Sequence, residues 1–316
     1  MRNSFINFIL TIIMLGITSC SDTPIIIDSE LELEASASTG EGAIWHPDLH
    51  TLFWVDIEGK TLFEYNPANR ESRSWVFNRM VSTVVPESDS TMIVALQDEI
   101  IRIELNSGKQ TGIAYIPDNN GKLRCNDGKC DPSGRLWVGT MGFGAPKNAA
   151  ALYRIDRDKR VKKILSDVTI SNGIVWSSNK KYMYYNDTPT NKVLRYRYND
   201  NTGDILYDGV AIDIPEGSGA PDGMAIDCND NLWVAQWGGY GVYCYNPYTG
   251  DLLAKVKVPA PNVASCAFGG KKLDKLFITT ARSGLSEEEL GKYPLSGSVF
   301  VCDPGVKGRA ANFFEP

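Results

Sequence analysis

The chain has 316 residues, 43% of them hydrophobic and 22% charged, with a formal net charge of −6. That composition is globular and soluble. It excludes nucleic acid and bare anionic membrane as partners, since either requires a basic face. Length alone leaves open one large domain or two ordinary ones.

The first twenty residues differ in kind. Met1-Arg2-Asn3 is positively charged, residues 5–17 form an apolar run broken by Asn7, Thr11 and Gly16, and Thr18-Ser19 precede Cys20. A charged start, a short apolar stretch and small residues before a cysteine predict a secretory signal over 1–19, too short for a membrane span. The placement of Cys20 resembles the bacterial lipoprotein box. The expectation is therefore an exported lipoprotein of the periplasm or cell envelope, lipidated at Cys20 and touching membrane only through that anchor. A plain signal peptide with an incidental cysteine is the competing reading. Residues 20–27 then read as a tether and 28–316 as the folded domain.

Beyond the signal the periodicity is that of strands. Runs of Val, Ile, Leu, Tyr and Trp are bounded by Asn, Asp, Gly and Pro, the mark of hairpins. Glu41-Gly42-Ala43-Ile44-Trp45 leads to Leu52-Phe53-Trp54-Val55, and Val81-Ser82-Thr83-Val84-Val85 leads to Met92-Ile93-Val94. Asp127-Gly128 precedes Leu136-Trp137-Val138, Asn172-Gly173 precedes Tyr182-Met183-Tyr184, and Asp222-Gly223 precedes Leu232-Trp233-Val234. Val263-Ala264-Ser265-Cys266 followed by Leu276-Phe277-Ile278 is the sixth copy. The opening glycines recur at multiples of roughly 40 to 50 residues, a blade-sized period. Each copy continues into a third strand, such as Leu62-Phe63-Glu64-Tyr65 or Val242-Tyr243-Cys244-Tyr245. Six four-stranded units predict an all-β, six-bladed β-propeller. Residues 26–37 are the natural segment to complete the last blade. The only helical signal is a single capped turn at Ser286-Glu287-Glu288-Glu289-Leu290.

Six cysteines remain after Cys20, an even count that permits disulfides in an exported protein. Several sit within apolar strand patterns and read as buried thiols. No CxxC or Cys/His cluster suggests zinc. His46 and His50, in the first hairpin, read as turn and surface residues.

In a propeller every innermost strand starts at the same end of the central channel. The residues before the hairpin openings are Glu41, Val81, Asp127, Asn172, Asp222 and Val263. Four of these are oxygen-bearing, and the carboxylates among them would repel one another if left unneutralised and be costly to bury unpaired. A cation in the channel resolves this, and oxygen donors suit hard Ca²⁺, with Mg²⁺ or Mn²⁺ as alternatives. Taken singly, each Asp-Gly or Asn-Gly is also ordinary turn chemistry.

Gly40-Glu41-Gly42, the run Arg124-Cys125-Asn126-Asp127-Gly128-Lys129 through Trp137-Val138-Gly139-Thr140-Met141, Asn172-Gly173 and Pro221-Asp222-Gly223-Met224 follow in order. This series resembles the gluconolactonase and regucalcin (senescence marker protein) family of sugar lactonases, from Gly40 to the C-terminus. The resemblance implies a six-bladed propeller with one divalent metal in the central channel, Ca²⁺ first and Zn²⁺, Mn²⁺ or Mg²⁺ as alternatives. It implies Glu41, Asn172 and Asp222 as metal ligands, Arg124 and Asn126 as substrate-binding residues, and Asp222 also as general base. Asp127 becomes a neighbour of the ligands. The implied reaction is hydrolysis of a sugar lactone, gluconolactonase-like, to the aldonic acid. It needs a polarised carbonyl and a proton acceptor, and Arg124 and Asn126 would hold hydroxyls or the developing oxyanion. Gly142-Phe143-Gly144 replaces acidic residues that many members carry, trading a carboxylate for an aromatic ring. A monomer is expected. The competing reading is a non-catalytic, metal-loaded propeller that binds carbohydrate or a partner protein. A serine hydrolase lacks its GxSxG elbow here.

Overall fold

The structure is a computed structural model describing residues 23–117 and 121–315. The expected signal segment and Cys20 lie outside the described residues. Six antiparallel sheets follow one another along the chain. The first blade comprises Gly40–His46, Thr51–Asp56, Thr61–Asn66 and Glu71–Val76. The second runs Val81–Pro86, Thr91–Leu96, Glu99–Glu104 and Gln110–Tyr115, the third Leu123–Cys130, Leu136–Gly142, Ala150–Ile155 and Val161–Val168. The fourth is Ser171–Trp176, Tyr182–Asp187, Lys192–Tyr198 and Ile205–Asp213. The fifth is Ala220–Ile226, Leu232–Trp237, Gly241–Tyr245 and Leu252–Lys257. The sixth holds Asn262–Gly269, Lys275–Ala281 and Val299–Cys302. The expected six-bladed propeller is what the chain forms.

The sixth blade is completed from the other end of the chain. Glu30–Leu33 pairs with Val299–Cys302, placing Leu31 opposite Phe300 and Leu33 opposite Val299. This latch pairs the outer edge of Val299–Cys302 and joins both ends of the chain in one blade. The preceding segment does something the sequence did not suggest. Ile25–Asp28 is no tether: it runs parallel to Leu252–Lys257 as a fifth strand on the neighbouring blade.

Apolar strand faces pack between blades, with Trp54, Trp137 and Trp233 fully buried. Two of these are fixed by the hairpin turn before them. Asp131 accepts from Trp137 Nε1 at 2.9 Å, and Asp227 accepts from Trp233 Nε1 at 3.1 Å. The tail crosses the far end of the channel, where Phe314 is buried and Asn312 donates to the Cys130 carbonyl. The capped turn is a six-residue helix, Glu287–Lys292, whose Ser286 and Glu289 form a reciprocal capping box. Cys125, Cys130, Cys244, Cys266 and Cys302 are buried free thiols, while Cys228 is free and exposed. His46 departs from expectation. It is fully buried beside Phe53 and Phe313, with Nε2 against the Ser88 carbonyl at 2.9 Å.

Candidate active site

The innermost strands of the third, fourth and fifth blades share one irregularity. Cys125 pairs with Thr140 and Gly128 with Val138; Ser171 with Asp187 and Ile174 with Tyr185; Pro221 with Gln236 and Met224 with Val234. Two inner residues thus oppose one outer residue, a bulge that re-aims side chains. The bulged pairs are Asn126-Asp127, Asn172-Gly173 and Asp222-Gly223. In the first blade the counterpart is Glu41. Asp56 accepts from the Ser38 and Thr39 amides just as Asp187 accepts from those of Thr169 and Ile170, which aligns Glu41 with Asn172.

This register corrects the sequence-based alignment by one residue in the third blade. Asn126, not Asp127, is the counterpart of Asn172 and Asp222. The turn aspartates agree, since Asp131 follows Asn126 at the same interval as Asp227 follows Asp222. The misleading signal is Gly128. Gly173 and Gly223 abut the next blade, where an added Cβ would lie 2.6 Å from Asp222 O and 2.9 Å from Ala264 O. A Cβ on Gly128 would instead strike Trp137 O of its own hairpin. Gly128 thus packs within its own hairpin and does not occupy the repeat position.

Glu41 and Asp222 are buried at 5% and 4% exposure, and their carboxyl groups lie near enough to perturb one another. The Gly42 amide donates to Glu41 Oε2 at 2.8 Å, while Asp222 Oδ1 has no hydrogen-bond partner. Burial, then the charges of Asp222 and Asp127, push the Glu41 carboxyl well up. Burial first also pushes Asp222 up to about 8. Two acids crowded together with an orphaned oxygen form a site that a cation would fit. With Asn172 Oδ1 they offer only hard oxygen donors, which fits Ca²⁺ or another hard divalent ion. Among the described residues no three His, Cys, Asp or Glu side chains cluster closely enough to hold a metal by themselves. Asp127 is the remaining carboxylate whose charge acts on this pair. Its Oδ1 accepts from Gly128 N at 2.7 Å, and its Oδ2 is buried without a partner.

A hydrogen-bonded chain fixes the donors. Arg124 Nη1 donates to the Cys125 carbonyl at 2.9 Å and to Asn126 Oδ1 at 2.6 Å. Asn126 Nδ2 donates to Ser171 O at 2.8 Å and Asn172 Oδ1 at 3.2 Å. Asn172 Nδ2 donates to Thr188 Oγ1 and Thr188 Oγ1 to Pro221 O, each at 2.8 Å, ending beside Asp222. With its Nδ2 so committed, Asn172 has only Oδ1, the acceptor for Asn126, to offer a cation. Burial lowers the hold of Arg124 on its proton, opposed most strongly by the Glu58 carboxylate. Sequence reasoning missed Thr188, which opens a short 3₁₀ turn with no repeat signal. It missed Lys129 as well, whose Nζ reaches from the third blade to the fifth and donates to Met224 O at 2.6 Å.

Above the carboxyls lies a cavity of about 300 Å³ lined in part by Glu41, Arg124, Asn126, Asn172 and Asp222. Ile57, Met141, Ile170 and Trp237 give it apolar walls. Phe143 is not among them; it is 46% exposed. The ring expected from that loop comes instead from Trp237, at the end of a fifth-blade strand.

Comparison with known proteins bears on this site. Residues 39–282 match the SMP-30/Gluconolactonase/LRE-like region. YvrE of Bacillus subtilis (strain 168), provisionally named a sugar lactone lactonase, is 36% identical over 274 residues, covering 87% of this chain and 94% of that protein. Regucalcin of Oryctolagus cuniculus is 32% identical over 288 residues, covering 89% and 96%. The crystal structure of a calcium-binding protein, regucalcin, from Agrobacterium tumefaciens superposes with a TM-score of 0.88 at 28% identity, covering 92% of this chain and 99% of that one.

Proposed function

The chain belongs to the SMP-30/gluconolactonase/LRE-like family, and on that premise we propose that it hydrolyses a sugar lactone to the aldonic acid with the help of one divalent cation. The observation that carries this reading is the buried Glu41–Asp222 pair with its orphaned Asp222 Oδ1 at the floor of a ligand-sized cavity. Glu41, Asn172 and Asp222 would hold the cation. When bound, it supplies Lewis-acid polarisation of the lactone carbonyl. Ca²⁺ is the first choice, supported by the oxygen donors and by the solved relative described as calcium-binding.

The chain's own groups do the rest. Asp222, ionised in the loaded site, accepts a proton from the attacking water and returns it to the ring oxygen as the acyl–oxygen bond breaks. Arg124 spends only Nη1 on the described protein acceptors, so its remaining N–H groups face the ligand. They suit a hydroxyl or the developing oxyanion. Asn126 spends its amide on Arg124, Ser171 and Asn172, and thereby orients the binding groups. Export as a lipoprotein anchored through Cys20 belongs to the same proposal and rests on the first twenty residues.

The test is acid release from a panel of aldonolactones by purified protein, with metal analysis of the same sample. Turnover that falls at least ~100-fold in Asp222→Asn supports the assignment. Turnover unchanged in that variant removes Asp222 from the mechanism, and no turnover on any lactone favours a binding propeller.

A further inference from the structure

Glu58 stands at the mouth of the cavity on the turn after the second strand of the first blade. That turn is held rigidly. Ile57 N donates to Thr39 O at 3.0 Å, Lys60 N to Ile57 O at 3.2 Å and Gly59 N to Asp56 Oδ1 at 3.1 Å. The backbone at Glu58 is thus fixed while its exposed side chain has no hydrogen-bond partner among the described residues. Glu58 and Arg124 line the same cavity, and Glu58 is the foremost charge partner of Arg124. Glu58 and Arg124 lie on the first and third blades, flanking the second. In a ring of six the fifth blade is opposite, and it supplies Trp237, which is half-buried in the same cavity. The mouth is therefore two-sided, with an acceptor and a donor on one wall and an indole on the other.

A sugar ring has the matching division. Its hydroxyls lie at the edge, able to donate to a carboxylate and accept from a guanidinium, and its C–H face is apolar enough to lie against an aromatic plane. A ring without hydroxyls could use only the apolar walls, Trp237 among them. Building on the lactonase reading, we propose that Glu58 is a specificity-determining residue: together with Arg124, and opposite Trp237, it selects hydroxylated lactone rings over bare ones.

The experiment compares glucono-δ-lactone with δ-valerolactone, which carries the same reactive ester and no hydroxyls. Wild type should favour the hydroxylated ring. Glu58→Gln and Glu58→Ala should raise KM for glucono-δ-lactone about 10-fold or more, the scale of one charge-assisted hydrogen bond. They should leave kcat, and both constants for δ-valerolactone, within about 2-fold. Glu58→Asp should recover part of the loss. Because Glu58 is exposed, these variants retain the fold. A wild type that handles both rings equally, or variants that alter both substrates alike or neither, overturns the inference while leaving lactonase activity standing. A wild type that opens neither ring overturns this inference, while only failure on every lactone of the panel overturns the lactonase reading.

Discussion

Asn126 Nδ2 donates to Asn172 Oδ1 at 3.2 Å across the seam between the third and fourth blades. This bond joins the group that grips Arg124 to a proposed cation ligand, so substrate wall and cation floor form one network. Replacing Asn126 by Ala leaves Arg124 Nη1 with one acceptor fewer and Asn172 Oδ1 without its donor. Asn126→Ala should lose about 1–3 kcal/mol of stability in urea and at least ~10-fold in kcat/KM. Unchanged values for both would mean that the network carries no energy.

The carboxyl pair sets a pH dependence for the metal-free protein. Glu41 and Asp222 hold their protons more tightly folded than unfolded. Their contribution to stability is fully present below the ordinary carboxylate range and is lost as pH rises through the folded value, about 8 for Asp222. The Tm of chelated wild type should therefore fall by several degrees over that window relative to Asp222→Asn, while Ca²⁺-loaded wild type should not follow. Parallel profiles for chelated wild type and variant would contradict the assignment.

Close blade contact at the centre is tested by Gly173. A Cβ there would sit 2.6 Å from Asp222 O, backbone that cannot yield without moving the strand that carries Asp222. Gly173→Ala should cost about 1–3 kcal/mol and lower turnover as well. Gly291, with open space around it, is the control: Gly291→Ala should stay within about 0.5 kcal/mol of wild type. Equal effects at the two positions would refute the packing explanation.

The sequence announces the blades because their signals are local: period-two strands, and hairpins bounded by Asn, Asp and Gly. Closure by Glu30–Leu33 is legible too, because the last blade lacks a strand of its own. Register at the centre is not. A bulge adds one residue, and Asp127-Gly128 imitates the repeat dipeptide, so Asp127 rather than Asn126 looked equivalent to Asp222. Thr188, Lys129, Glu58 and Trp237 act from turns, strand ends or across the channel, where periodicity carries no signal. His46 looked like a turn residue because the sequence does not show that the tail brings Phe313 back against it.

Export is open to a direct check. Cys20→Ala should abolish incorporation of labelled palmitate and move the protein from the membrane to the soluble fraction. A variant that partitions like wild type would remove the lipid anchor.

Chelation tests the centre most directly. Purified wild type should lose lactone hydrolysis after exhaustive EDTA treatment and dialysis, and regain it with one equivalent of Ca²⁺, Mn²⁺ or Zn²⁺ per chain. Glu41→Gln should fail to regain it at that ratio. Full activity in protein shown by metal analysis to be ion-free would contradict a cation-dependent site at Glu41, Asn172 and Asp222.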